Sequence, residues 1–159
     1  MSMIIDGTNG LTFNNATTQN SAGIILQVVN VSSTSYLGSS SATWASSGIS
    51  ASITPKFSTS KIFIICTFFL YTQAAGSAKT TIYRSSTNLG NSTNGFGELT
   101  LGSSPGAMLG FGSMSFLDSP ATTSSTTYTI YGQNANGSGA IQVGDPSRPS
   151  QITLMEVAG

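Results

Sequence analysis

A chain of 159 residues is long enough for one domain with a real core, and 38% hydrophobic residues suffice to fill it. Only 6% of the residues are charged, five basic and five acidic with no net charge, where ordinary soluble domains carry about 25%. Charges scattered singly argue against an electrostatic nucleic-acid partner, which needs clustered Lys and Arg, and zero net charge leaves little repulsion between copies in an assembly.

Residues 1–23 stand apart from the rest. Ile4, Ile5, Leu11 and Phe13 flank Asp6-Gly7 and Asn9-Gly10, turn pairs that predict two short strands. The polar, turn-prone stretch 14–19 follows, and Ser21-Ala22-Gly23 reads as a joint. So few apolar residues cannot fold alone. The segment is expected to be ordered by copies of itself or by a partner, and to serve as an attachment device.

From residue 24 onward, strand patterns recur between turn signals. They are predicted at 24–31, 49–53, 61–71, 80–84, 98–101, 107–117, 126–132, 140–143 and 151–157, separated by stretches rich in Gly, Asn, Ser and Pro. No segment shows helical periodicity of any length. The pattern predicts an all-β fold, an antiparallel β-sandwich or jelly roll over residues 24–159.

Residues 62–71 carry the most information. One face of this strand presents Ile62, Ile64, Cys66, Phe68 and Leu70, and the other Phe63, Ile65, Thr67, Phe69 and Tyr71. An antiparallel sandwich strand normally turns one face to water. With both faces apolar, the second needs a cover, either another subunit or a long loop of the same chain. The aromatics on that face favour a subunit, so Phe63, Ile65, Phe69 and Tyr71 are the candidate oligomer contacts.

Chemistry is sparse. The absence of histidine removes His-based catalytic triads and imidazole metal sites, and the single Cys66 can form neither an intrachain disulfide nor a thiolate zinc site. No cofactor or metal is expected. Cys66 lies in an apolar run and reads as a buried small hydrophobe. The carboxylates Asp6, Glu98, Asp118, Asp145 and Glu156 are dispersed, and a glycosidase-type pair among the last four requires convergence in space to about 5–10 Å. Trp44 has the wrong parity for the 49–53 strand, so either a bulge near Ser46-Ser47-Gly48 returns it to the core or it faces outward. Tyr36, Trp44 and Phe96 are the candidate glycan contacts. The N-terminus has no basic, apolar leader pattern, and 62–70 is too short to span a bilayer. Synthesis in a cytosol without membrane insertion is therefore the expectation.

Several motifs point to one family. Gly10-Leu11-Thr12-Phe13-Asn14-Asn15-Ala16-Thr17-Thr18-Gln19-Asn20-Ser21-Ala22 resembles a segment found in many bacteriophage tail-fibre and virion structural proteins, with Ala16 where Gly is commoner. Ser52-Ile53-Thr54-Pro55 with Ser60-Lys61-Ile62 is similar to an element of small phage fibre and baseplate-associated proteins. Thr81-Ile82-Tyr83-Arg84, Leu89-Gly90 and the closing residues 152–158 resemble later parts of the same family. The resemblance implies a jelly-roll sandwich of tumour-necrosis-factor or complement-head type, a homotrimer, and a place in the virion as a short tail fibre assembled in the host cytoplasm. It implies partners among baseplate or other tail proteins, with the sandwich either contacting host surface glycan or adapting another fibre. It supplies no catalytic residues. A tail-associated glycan-degrading enzyme is the alternative from another class.

Overall fold

The computed structural model describes residues 4–6, 10–12, 18–19, 25–73, 75–101 and 106–159. All regular structure among them is strand. Near the N-terminus, β1 (Ile4–Asp6), β2 (Gly10–Thr12) and β3 (Thr18–Gln19) form a small antiparallel sheet in that order. Ile5 pairs with Leu11 and Thr12 with Thr18. The first two are the short strands expected of the segment, whereas β3 falls in the stretch read as polar and turn-prone; Phe13 lies outside the described residues.

The remaining strands are β4 (Ile25–Ser33), β5 (Leu37–Ser39), β6 (Ala45–Ile53), β7 (Lys61–Gln73), β8 (Ser77–Arg84), β9 (Thr87–Asn88), β10 (Gly97–Thr100), β11 (Ala107–Asp118), β12 (Thr126–Asn134), β13 (Ile141–Val143) and β14 (Ser150–Val157). They form two antiparallel sheets. One runs β4-β14-β7-β11, with β13 and β5 continuing beside β7 where β14 ends; the other runs β6-β12-β8-β10, with β9 on β8. Numbering the eight long strands along the chain, the sheets read 1-8-3-6 and 2-7-4-5. That is the jelly-roll order.

Period-two burial explains why these segments are strands. In β12 the residues alternate strictly between buried and half-buried, and in β7 Ile62, Ile64, Cys66, Phe68 and Leu70 all point into the core. They meet Ile49, Ile53, Ile82, Tyr128 and Ile130 of the facing sheet, with Ile152 and Leu154 alongside. Each such side chain contributes about 1.5–3 kcal/mol when fully buried. A polar tie reinforces the packing: Arg84 Nη1 on β8 donates to both Asp118 carboxylate oxygens on β11 at 2.9 Å, and the Tyr128 hydroxyl on β12 donates to Asp118 Oδ2 at 2.7 Å. One carboxylate thus joins the two sheets.

The sequence pattern misses β5 and β9, which are three and two residues long, and starts β6 four residues late. The cause is a bulge. Thr129 pairs with Ser50 and Tyr131 with Ser46, so Ser47, Gly48 and Ile49 face the single residue Ile130. Ser47 Oγ donates to the Ile130 carbonyl at 2.7 Å across the gap, and Gly48 adopts φ +76°. A Ser-Ser-Gly run that looks like a turn is a strand carried through a bulge.

Candidate functional site

The outward face of the β4-β14-β7-β11 sheet follows from its register. Row by row it presents Val28, Met155, Phe63 and Leu117; then Asn30, Thr153, Ile65 and Ser115; then Ser32, Gln151, Thr67 and Ser113. Beyond that polar belt, Phe111 faces Phe69, and Leu109 faces Tyr71. Two apolar patches therefore flank a band of hydroxyls and amides on one sheet. Phe111 is 81% exposed and Leu109 61%, with Val28 and Leu117 also exposed. Exposed apolar side chains gathered on one sheet face make it the candidate contact surface.

The four residues singled out from the sequence all lie on this face. Phe63, Ile65 and Tyr71 are half-buried. Phe69 is buried: Phe111 meets it edge-on with centroids 6.3 Å apart, and the Arg148 guanidinium sits 4.8 Å over its ring. The most exposed members, Phe111 and Leu109, come from β11, which sequence reasoning placed as a strand without giving it a face. In residues 107–117 both parities hold large apolar side chains and small residues. Glycine resolves them, because a Cβ on Gly112 would lie 2.3 Å from the Phe68 ring. Only the parity carrying Gly112 fits against the core.

The three candidate glycan contacts separate. Trp44 is half-buried, donating from Nε1 to the Ser92 carbonyl at 2.8 Å, with its ring against Gly95. Phe96 packs on Phe116 against the core. Tyr36 alone is exposed, at 53%. It borders an open cavity of about 590 Å³ whose walls are Thr34 and Ser35 beside it, Ser46 and Gly48 of the bulge, and Pro146.

The carboxylates of the sandwich each have partners within the chain. Glu98 accepts from the Ser77 and Thr100 hydroxyls, which hold it below the ordinary carboxylate value. Asp145 pairs with Arg148 at 2.6 Å. Asp118 and Glu156 stand on either side of Ile62, on the strands flanking β7. Asp118 is held by Arg84 and Tyr128 as above. Glu156 is wholly buried and accepts the Lys56 N–H at 2.7 Å and the Gln27 amide at 2.5 Å. Burial alone would raise its pKa; the donors outweigh burial and hold it low. The Cys66 thiol, with no exposed surface, is pushed up to about 12 by desolvation. No protein-family model matches the chain, and no curated protein is similar to it in sequence.

Proposed function

We propose that this chain is a structural protein of a bacteriophage tail, a short fibre whose jelly-roll heads assemble as a homotrimer through the outer face of the β4-β14-β7-β11 sheet. The observation that carries the reading is that face: Phe111, Leu109, Leu117 and Val28 stand exposed on it in the single chain, around strand β7, whose other face fills the core. Covering four such side chains is a large gain at about 25 cal/mol per Å² of apolar surface. The scarcity of charge supports close packing of copies, and the partnered carboxylates suit a structural role better than acid–base work.

The threefold number and the tail location rest on the resemblance of residues 10–22 and 52–62 to phage fibre proteins. In this reading the β1-β2-β3 segment, with Ile4, Ile5, Leu11 and Phe13, attaches the trimer to the baseplate or another tail protein, and the jelly roll points away from it. Antibody labelling of purified particles tests the location. Decoration of the tail is expected, and particles free of the chain would contradict it.

A further inference from the structure

The outer sheet face accounts for assembly but leaves the cavity beside Tyr36 unused. We propose that this cavity is a binding site for a neutral sugar, one or two pyranose rings of a host surface glycan. The inference rests on the tail-fibre reading for the source of the sugar, and on the cavity alone for its chemistry.

Three chain segments build the site, and each is held in place. Ser35 is clamped between two glycines of positive φ: a Cβ on Gly144 would lie 2.4 Å from the Ser35 carbonyl oxygen, and one on Gly48 would lie 3.1 Å from Ser35 Cβ. No other residue type fits both positions without displacing the segment that carries Tyr36. The Pro146 wall belongs to a turn closed by Asp145, which accepts from the Ser147 N–H at 2.7 Å and from Arg148 Nη1 at 2.6 Å. The third segment is the β6 bulge, pinned by the Ser47 bond to Ile130. A site built this way is formed before its ligand arrives.

The lining suits a neutral, hydroxyl-rich ligand with an apolar face, as a sugar ring has. The Tyr36 ring lies over Gly38, its Cε2 3.8 Å from where a Cβ would be. With no side chain at Gly38, and with Tyr36 more than half exposed, the ring is left as a platform for the C–H face of a sugar. The Thr34, Ser35 and Ser46 hydroxyls around it donate and accept alike. Ser46 Oγ accepts the Gly48 N–H at 3.1 Å and keeps its own proton to give. No lining side chain is charged, so a phosphate or an acidic sugar gains no ion pair. The hollow is open to solvent and offers about 590 Å³, room for a sugar ring laid against its wall.

Saturation-transfer NMR on the full chain, titrated with methyl glycosides of glucose, galactose and mannose, with N-acetylglucosamine, and with N-acetylneuraminic acid as the charged comparison, tests this. At least one neutral pyranoside is expected to saturate in the millimolar range. Tyr36→Ala should weaken it about tenfold and Tyr36→Phe by less than about threefold, since the ring does the stacking. Failure of every neutral sugar to bind at about 50 mM, undiminished binding by Tyr36→Ala, or stronger binding of the acidic sugar would each overturn the proposal. Solution mass measured on the same samples keeps the two readings apart: a monomer that still binds sugar through Tyr36 refutes the assembly and spares the site.

Discussion

Phe111 stands directly opposite Phe69 across the β7–β11 pair, shielding it edge-on at 6.3 Å while remaining 81% exposed itself. The two rings therefore have different tasks. Phe69 belongs to the packing of the single chain; Phe111 is, in the proposed assembly, what one copy offers to another.

Replacing them separates the tasks. Phe111→Asp should dissociate the trimer while leaving the melting temperature of the dissociated chain nearly unchanged, because the site is open in the single chain. Phe69→Asp should unfold the chain as well, since a carboxylate forced into an apolar site costs several kcal/mol. Ser58→Asp, at an exposed turn position, is the neutral control. Light scattering and thermal melts read all three. An intact oligomer of unchanged stability for Phe111→Asp would move the interface elsewhere.

The register of β11 makes a sharper prediction about two glycines two residues apart. A Cβ at Gly112 would strike the Phe68 ring, whereas one at Gly110 meets nothing within 4 Å. Gly112→Ala should cost about 1–3 kcal/mol by overpacking. Gly110→Ala should be neutral, or stabilising by about 0.4–1 kcal/mol through the unfolded chain. Equal effects at the two positions would mean that β11 pairs in another register.

This pair shows what the sequence holds and where it stops. The two-sided apolar pattern of residues 62–71 was legible because one parity is apolar throughout and only Thr67 interrupts the other, and the strands from 107, 126 and 151 follow from their turn signals. The outward face of β11 was not legible. It depends on which glycine must make room for Phe68, a fact of tertiary contact. The parity of Trp44 left a β6 bulge as one of two readings, and nothing in the sequence points to the hollow beside Tyr36, since it needs residues 34–36, 46–48 and 146 side by side.

Glu156 sets an acid limit. Its folded pKa is held below the ordinary 4.5 by the Gln27 amide and the Lys56 N–H, so the unfolded chain takes up the proton first as pH falls. Its contribution is complete above about pH 4.5 and is lost as pH drops through the folded value. Glu156→Gln should destabilise the protein at pH 7 by about 1–3 kcal/mol, because one of the two carboxylate oxygens that accept from Lys56 and Gln27 becomes an NH2 facing a donor, and should flatten the loss of stability below pH 4.5. Denaturant melts at pH 7 and pH 3 measure both; identical acid limbs would assign the effect to another carboxylate.

Cys66 should be silent in the folded protein. Its thiol has no exposed surface, and desolvation pushes its pKa up to about 12, so almost no thiolate exists at neutral pH. A thiol reagent at pH 8 should label it only at the rate of unfolding, and fast labelling without denaturant would show that the core opens.

Assembly through the outer face of β7 and β11 is read from the solution mass of the purified chain. Three copies of 16.3 kDa give 48.9 kDa, which light scattering at micromolar concentration should report for the wild-type chain, with Phe111→Asp falling to 16.3 kDa. A wild-type mass of 16.3 kDa under the same conditions would rule out assembly through this face.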